Sequence, residues 1–409
     1  MKAPSKNRSG FKKTEVGWIP RDWRCTPAGS IFEIQLGKML SKQARNGANP
    51  QPYLANYNVR WGGFDLRKIQ QMDFYEKEVE KFQLQQGDLL VCEGGEVGRC
   101  AVWEDQIKPC YFQKALHRVR PARLDVDVYY AMYFLHYAAA SSIMAAFIGQ
   151  SSISHFTREQ FMKFPIALPP LDEQIRIREI LGVWDSAIGR TRDLIAALHK
   201  RKQAVLRYLL KGEKRLPGFS SSWNVCALGD LFKERTETNK GHLPLLALTA
   251  NKGIVPAAEI DRKDSSSVDK SMYKRIAPGD ICYNTMRMWQ GVCAVSEREG
   301  IVSPAYTICA PKKDVDPAFM GYLFKLPSVV HLFYRYSQGL VSDTLNLKFR
   351  HFAQIKIKIP AIREQNGIAQ AISAFDAQIR LHERKAAALE KQKRGLMQKL
   401  LTGKVRVKT

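Results

Sequence analysis

The sequence predicts an α+β protein in which two related α/β domains are joined by two long helices that form an antiparallel coiled coil. Three observations support this prediction: framework segments that occur twice, two heptad-patterned stretches of about 40 residues, and a repeated strand-to-helix junction. The junction is LPPLDEQIRI at 168–177 and IPAIREQNGI at 359–368. A chain of 409 residues is also longer than one typical domain.

Framework segments recur in the same order in both halves of the chain. PRDWRCTPAGSIF (20–32) matches SSSWNVCALGDLF (220–232), GDLLVCEGGEVGRCAV (87–102) matches GDICYNTMRMWQGVCAV (279–295), and DVDVYYAMYFL (125–135) matches DVDPAFMGYLF (314–324). Internal similarity of this kind indicates a duplicated module. The loops between these segments differ, which indicates either two modules that recognise different things or ordinary drift after duplication.

The repeats predict four segments along the chain. A first domain covers 1–168, with a basic N-terminal tail at 1–16, and a helix follows at 169–213. A second domain covers 214–359, and a second helix covers 360–409.

Each junction opens a heptad-patterned helix. Apolar positions recur at alternating spacings of four and three, which is the 3.5-residue period of a coiled coil. Acidic residues suit the first turns, and a glycine suits each C-terminal end (Gly212 and Gly403). The predicted seam consists of Ile177, Leu181, Trp184, Ile188, Thr191, Ile195, Leu198, Lys202, Val205 and Leu209, and of Ile368, Ile372, Phe375, Ile379, His382, Ala386, Leu389, Lys393, Leu396 and Leu400.

The path of the chain sets the direction of the two helices. Each is about 60 Å long, and a narrow apolar seam of this length needs a partner. The first helix leads into the second domain and the second must return along it, so the pair is antiparallel, and an approximate two-fold axis relates the halves. The end KVRVKT (404–409) should therefore lie near Trp18 and Trp23. Lys202 and Lys393 are expected to extend towards solvent, or alternatively to contact phosphates or a partner.

The charge balance favours a polyanionic partner. The chain has 64 Lys and Arg against 39 Asp and Glu, a formal net charge of +25. No apolar run approaches the roughly 18 residues of a membrane span, so nucleic acid is favoured over a membrane, although solubility alone also explains a basic surface. The eight cysteines contain no C-x-x-C pair, which disfavours zinc and predicts reduced, mostly buried thiols in a cytosolic protein.

A search for catalytic motifs finds little. NPQPY (49–53) resembles the N-P-P-Y signature of adenine methyltransferases, but Gln51 interrupts it. The sequence has neither a G-x-G-x-x-G nor a G-x-x-x-x-G-K-[ST] motif, and EGGEVG (93–98) is predicted to form a turn. The chain is expected to be non-catalytic by itself; a self-contained methyltransferase or nuclease is the alternative.

Candidate DNA contacts fall in both domains. In the second, 281–283 is predicted as a buried strand whose exit loop presents arginine for guanine and asparagine or glutamine for adenine. Alternatively, Trp289 and Met286 pack the loop and Arg287 holds a phosphate. For residues of the first domain, a solvated surface is the alternative. The candidates are Lys38, Lys42, Arg45, Arg60, Trp61, Gln113 and Lys114, with His117 beside them, and Lys274, Arg275, Asn284, Arg287, Trp289 and Gln290.

With these motifs the chain resembles the specificity subunit of a type I restriction-modification system from Gly17 onward. The resemblance is carried by both junctions and by the helix ends LLKG (209–212) and LLTG (400–403). The segments YNTMRMWQG, GIVSPAY (300–306) and FQKALHRVRP (112–121) are similar to framework motifs of the family's target-recognition domains.

The resemblance implies that each domain binds one half of a bipartite, asymmetric site in double-stranded DNA, and that the helices set the spacer. It implies two modification (methyltransferase) subunits and restriction/translocase subunits as partners in a cytoplasmic complex. S-adenosylmethionine, ATP and Mg²⁺ are expected on those partners and no cofactor on this chain. Candidate contacts to the modification subunits are Glu173, Gln174, Glu364 and Gln365.

The second junction departs from the first, since Ala361 and Arg363 stand where the first has Pro170 and Asp172. Partners are therefore not expected to dock identically at both junctions. A coiled-coil scaffold that bridges two proteins is a further alternative; it predicts DNA affinity with little salt dependence.

Overall fold

The computed structural model describes residues 9–45, 47, 49–148, 155–249, 253–260 and 269–407. The chain forms two compact units: unit one is 1–191 with 385–409, and unit two is 192–384. Each unit therefore combines one α/β domain with part of each long helix. The division falls inside both helices, whereas the sequence places its boundaries at the helix ends.

The first α/β domain leads into the first long helix. Its elements are β1 (Phe11–Thr14), β2 (Gly17–Pro20), β3 (Arg24–Pro27), β4 (Phe32–Leu36), α1 (Lys42–Arg45), β5 (Pro50–Leu54), β6 (Val59–Arg60), β7 (Gly63–Phe64), β8 (Gln70–Asp73), α2 (Glu76–Phe82), β9 (Leu89–Cys92), β10 (Cys100–Val102), β11 (Tyr111–Phe112), β12 (Leu116–Pro121), α3 (Val128–Ala140), α4 (Ser142–Ile148), α5 (Arg158–Lys163), β13 (Pro165–Leu168) and α6 (Leu171–Leu210).

The second α/β domain repeats this plan with shorter connections. Its elements are β14 (Asn224–Ala227), α7 (Leu228–Leu231), β15 (Phe232–Glu234), β16 (Leu246–Thr249), β17 (Gly253–Pro256), β18 (Lys274–Ile276), β19 (Ile281–Asn284), β20 (Cys293–Val295), β21 (Gly300–Val302), β22 (Tyr306–Pro311), α8 (Pro317–Leu323), α9 (Pro327–Tyr336), α10 (Phe349–Phe352), β23 (Lys356–Ile359) and α11 (Ile362–Leu400).

An antiparallel sheet in the order β10-β9-β12-β4 lies at the centre of unit one. Side chains on β9 alternate between two cores: Leu89 and Val91 pack with α3, and Leu90 and Cys92 pack with the β11-β5-β8 sheet. Because both faces of the strand are covered, its sequence is continuously apolar.

Unit two repeats the central sheet in the same order, β20-β19-β22-β15. Ile281 and Tyr283 of β19 face the core shared with α8 and α9, and Cys282 faces the opposite core. The domain-closing pairs also correspond, since β13 pairs with β3 and β23 pairs with β14, both antiparallel. The duplicated framework inferred from sequence is therefore one sheet topology used twice.

The long helices run antiparallel within each unit. In unit one, Ile177 and Leu181 of α6 share a core with Met397 and Leu400 of α11. In unit two, the C-terminal end of α6 shares a core with the N-terminal end of α11. Every predicted seam position is buried or half-buried, so the heptad prediction is confirmed.

The helix ends also follow the predicted pattern. Gly212 and Gly403 have φ of 69° and 65°, a left-handed conformation that glycine adopts without a Cβ clash. At the first end, the Gly212 N–H donates to the Leu209 carbonyl and the Glu213 N–H to the Tyr208 carbonyl. This Schellman arrangement satisfies carbonyls that the helix leaves open.

Among the described residues, no single helix has the length and apolar character of a membrane span. The pair α3 and α4, bent by 79°, passes the same test together by length and composition. Tyr130, Phe134 and Met144 of this pair are buried in the core of unit one.

Candidate nucleic-acid interface

The loop that leaves β19 presents polar side chains from an anchored backbone. The Asn284 side-chain oxygen accepts a hydrogen bond from the Met286 N–H (2.9 Å), and Met288 is fully buried. Gly291 closes the loop with φ of 75°, where a Cβ would lie 2.9 Å from Val330 of α9. The loop is thus held against α9, while Arg287 and Gln290 remain exposed.

The two large residues of this loop have different roles. Trp289 donates from Nε1 to the Met286 carbonyl (3.1 Å), and its ring lies 6.3 Å from Tyr334 of α9. It packs the loop, as the alternative interpretation proposed. The exposed Arg287 side chain has no hydrogen-bond or ion-pair partner among the described residues, so its charge is available to an anionic ligand.

The two cations before this loop are already engaged inside unit two. Lys274 donates to the Tyr306 carbonyl (2.9 Å). Arg275 lies 2.8 Å from Glu237 and 2.7 Å from Glu299, and the hydrogen bond that it donates to Glu237 raises the pKa of Arg275 above its usual value. Both are weaker candidates for DNA contact than Arg287, because Arg275 is paired with two carboxylates and the Lys274 ammonium lies 3.8 Å from Glu234.

In unit one, the structure corrects the expectation for Lys38. Its side chain is buried, and its ammonium donates to the Asp73 carbonyl (2.7 Å) and to Glu78 (2.5 Å). The same ammonium lies 5.0 Å from the Phe74 ring. Lys38 therefore ties β4 to the segment after β8, and it has no free charge to offer a phosphate.

Trp61 and His117 are also used inside unit one. Trp61 donates to Glu96 (2.6 Å) and stacks on His136 at 4.3 Å. His117 is fully buried with Nε2 2.8 Å from the Phe156 carbonyl, and burial lowers the pKa of this histidine. The His117 ring is therefore inaccessible to a base, whereas the Trp61 ring has its N–H and one face occupied.

Three of the remaining candidates of unit one come to one edge. Lys42 and Arg45 are exposed on α1, and Lys114 is exposed at the start of the β11–β12 connection. A bridge between Lys38 and Gln113 joins the segments that carry them, since the Lys114 N–H donates to the Lys38 carbonyl (2.7 Å). Arg60 lies on another loop, exposed and 3.4 Å from Asp65.

The repeated Glu-Gln pair has an intramolecular role at the first junction. Glu173 is 2% exposed and accepts hydrogen bonds from Trp23 Nε1 (3.0 Å) and Arg406 (2.7 Å). Gln174, fully buried, donates to the Pro169 carbonyl and accepts from the Asp127 N–H. The first turn of α6 is thereby tied to the start of α3 and to the segment after α11. Arg406 of that segment lies 5.9 Å from the Trp23 ring, as predicted for this end of the chain; residues 408 and 409 lie outside the described residues.

The second junction repeats the arginine and glutamine contacts of the first. Glu364 is 2% exposed and accepts from Arg215 at 2.5 and 2.6 Å. Gln365 accepts from the Asp316 N–H at the start of α8 and donates to the Pro360 carbonyl. Because all four junction side chains are buried and bonded within the chain, the structure does not support the prediction that they contact a modification subunit directly.

Two of the residues that make these junction contacts were not predicted from the sequence. Arg215 and Arg406 each stand three positions after a helix-ending glycine, Gly212 and Gly403, and each binds the glutamate that starts the other helix. The signal was a G-x-x-R pattern that recurs at the same offset as the junctions.

The seam lysines are also held inside the units. Lys393 Nζ lies 2.5 Å from Asp185, and Lys202 Nζ lies 2.5 Å from Asp376. The interpretation that they extend to solvent is corrected, because each ammonium pairs with a carboxylate of the opposite helix.

Comparison with known proteins identifies the family. A family model described as the type I restriction modification DNA specificity domain matches residues 20–200 and 220–391. The chain belongs to the type I restriction-modification specificity subunits. It is 26% identical to the putative type I restriction enzyme MjaX specificity subunit of Methanocaldococcus jannaschii, with 98% of this chain and 97% of that protein covered. It is 23% identical to the EcoKI specificity subunit of Escherichia coli over 48% of this chain and 46% of that one.

Solved structures confirm the fold class. The crystal structure of the type I restriction-modification S subunit from M. genitalium matches with a TM-score of 0.55 and 15% identity, over 92% of this chain and 96% of that one. The two matched segments of the family model each contain one central sheet and most of one long helix. A specificity subunit with two framework copies therefore accounts for the segments that recur in both halves of the sequence.

Catalytic and metal chemistry find little support in the described part of this specificity subunit. Asn49 directly precedes β5, and Tyr53 is buried within that strand, where its hydroxyl donates a hydrogen bond to Gln70 (2.6 Å). The NPQPY segment is therefore largely strand and does not present a loop to a base. No group of three or more His, Cys, Asp or Glu that could hold a metal occurs among the described residues. All eight cysteines are free, and burial raises the pKa of Cys92 to about 11.

Proposed function

We propose that this specificity subunit recognises a bipartite site in double-stranded DNA, with each unit binding one half and the two long helices setting the distance between the halves. The observation that supports this most directly is one sheet framework built twice, with differing exit loops. Those loops expose different side chains: Arg287 and Gln290 after β19 in unit two, and Glu96 after β9 in unit one. Different loops on one framework favour two different half-sites.

In unit two, we place the DNA contact at the β19 exit loop. Arg287 is exposed without a partner, and a bidentate arginine suits guanine. In unit one, we place it at the edge formed by Lys42, Arg45 and Lys114, whose charges can hold phosphates. The formal charge of +25 supplies long-range attraction to both.

We propose that the chain itself is non-catalytic and works in a cytoplasmic complex. Two modification subunits that bind S-adenosylmethionine would methylate adenine, and restriction/translocase subunits would use ATP and Mg²⁺. The duplicated framework favours two modification subunits, one at each unit. This chain would hold no cofactor itself.

The decisive experiment is methylome sequencing of a strain with and without this chain, followed by binding of the purified complex to the identified site. A split motif that disappears with the chain is the expected result. Affinity should fall with salt at a slope near −0.9 per phosphate contacted. Methylation by the chain alone would establish the methyltransferase alternative, and an affinity that does not respond to salt would establish the scaffold.

A further inference from the structure

Unit two carries a rigid loop with an apolar tip, which we call the finger (residues 337–347). Its base is closed by reciprocal backbone hydrogen bonds between Gln338 and Asn346, both at 2.8 Å. Its turn is closed by two hydrogen bonds to the Val341 carbonyl. The Thr344 N–H donates one (2.9 Å), and the Thr344 hydroxyl donates the other (3.0 Å). These bonds fix the shape of the loop before any ligand arrives.

Gly339 shows how tightly the finger is folded. Its φ is 142°, and a Cβ at this position would lie 2.6 Å from the Thr344 carbonyl oxygen. Only glycine fits there without moving backbone.

The tip exposes two aliphatic side chains. Leu340 is 102% exposed and Val341 is 60% exposed. A single exposed leucine is ordinary on a protein surface, but two adjacent aliphatics on a pre-shaped loop gain free energy as soon as an apolar surface covers them. The flat faces of stacked base pairs are such a surface.

The finger is anchored beside the proposed DNA contact. Leu347, at its end, is fully buried, and its N–H donates to the Thr285 carbonyl (2.9 Å) in the β19 exit loop. Helix α9 leads into the finger and packs on the same loop through Tyr334 and Trp289. The finger and Arg287 therefore belong to one edge of unit two.

The charge around the finger suits DNA. Asp343 is the only acidic residue in its sequence, and the exposed cations Arg335, Lys348 and Arg350 flank it. A protein partner with an apolar pocket would not require these cations, whereas phosphates on both sides of an inserted side chain do.

We propose that Leu340, supported by Val341, is a wedge that inserts between two base pairs of the half-site bound by unit two. Insertion unstacks one step and bends the duplex, which gives sequence preference through the ease of deforming that step. The proposal rests on the proposed function and adds a deformation contact to it.

The test uses the complete complex and its identified site, with 2-aminopurine placed in turn at each step of the unit-two half-site. Apart from the target adenine, which a modification subunit would flip out of the stack, the wild-type complex should increase the fluorescence at one step only. Leu340→Ala should abolish most of this increase and weaken binding about tenfold. Leu124→Ala, at a 99% exposed leucine of unit one, is the matched control and should change neither.

Three outcomes would overturn the wedge. One is tight wild-type binding without increased fluorescence at any step; another is Leu340→Ala retaining both the signal and the affinity. The third is Leu340→Ala losing a partner subunit in sedimentation, which would make the finger a protein contact. If the wild-type complex does not bind DNA at all, the proposed function fails together with the wedge, and this result is distinct from the other three.

Discussion

Lys393 Nζ lies 2.5 Å from Asp185 Oδ1, so a charge-assisted hydrogen bond inside unit one joins the two long helices through residues that are 208 positions apart in sequence. Tyr133 of α3 donates its hydroxyl to the other oxygen of the same carboxylate (2.7 Å), and its ring lies 5.0 Å from the ammonium. The contact thus fixes the domain to both helices. Unit two makes the same arrangement with Lys202, Asp376 and Tyr322.

We expect Asp185→Asn to destabilise the protein more than Lys393→Met. The lysine side chain is 10% exposed and the aspartate side chain 47%. Asp185→Asn therefore leaves the more buried charge, that of Lys393, without its ionic partner. The cost should be about 3 kcal/mol for Asp185→Asn and about 1 kcal/mol for Lys393→Met. Denaturant unfolding of both single variants and of the double variant gives the interaction free energy between Asp185 and Lys393. Lys391→Met, at an exposed position of α11, is the control, and equal losses for the two single variants would contradict this.

The junction arginines should differ in importance although their positions correspond. Glu364 has Arg215 as its only side-chain partner among the described residues, whereas Glu173 keeps Trp23 when Arg406 is removed. We therefore expect Arg215→Ala to cost about 3 kcal/mol and Arg406→Ala about half as much.

Thermal or denaturant unfolding of the two variants tests this order. Arg215→Lys is a useful companion, because lysine keeps the charge but loses the bidentate geometry. A larger loss from Arg406→Ala would show that the segment after α11 contributes more than its ion pair.

The sequence predicted the repeats, both long helices and their pairing, because heptad spacing and a constant offset are local or periodic signals. It misassigned Lys38, because a basic residue directly after a glycine is expected to be exposed until Glu78 and Asp73 are placed beside it. It missed the role of Arg215 and Arg406 for the same reason. Burial of a charged residue depends on partners that are distant in sequence, and one sequence does not name them.

Lys38→Met and Arg287→Ala should separate stability from DNA binding. Lys38→Met removes a buried cation from Glu78 and Asp73, so it should lower the free energy of unfolding by about 2 kcal/mol. Arg287 is exposed without a described partner, so Arg287→Ala should leave stability within about 0.5 kcal/mol. It should weaken binding of the cognate half-site by about 1–3 kcal/mol. Unfolding and DNA titrations of both variants check the pair, and a DNA defect in a stable Lys38→Met protein would restore Lys38 as a DNA contact.

Unit one should be sensitive to mild acid through His136. Burial lowers the pKa of His136 to about 4; Lys393 lowers it further, and Asp185 and Glu96 oppose the shift. An unfolded histidine has a pKa near 6.5, so the unfolded chain binds the proton first. This contribution to stability is complete above pH 6.5 and is lost as pH falls towards 4, by about 3 kcal/mol.

Unfolding free energies measured between pH 7.5 and about 4.5 should therefore decrease more steeply for the wild type than for His136→Phe, which keeps a ring to stack on Trp61. Burial also lowers the pKa of His117, so part of the slope should remain in the variant. His199→Gln, at an exposed position of α6, controls for the loss of a histidine. Parallel curves for wild type and His136→Phe would remove His136 as the cause.

The last prediction concerns the helices as a spacer. Seven residues with the seam pattern, inserted after Asp193 in α6 and after Arg384 in α11, preserve the 3.5-residue period in both helices and keep the two lysine–aspartate pairs in register. The insertion lengthens each helix by about 10 Å, or roughly three base pairs at 3.4 Å each. The modified complex should therefore methylate the same two half-sites with a spacer roughly three base pairs longer, as methylome sequencing would show. Insertion into α6 alone moves its apolar seam out of register with that of α11, so the two lysine–aspartate pairs cannot both form. This variant should be less stable than the wild type. A double-insertion complex that is stable and keeps the original spacer would show that the helices do not set the distance.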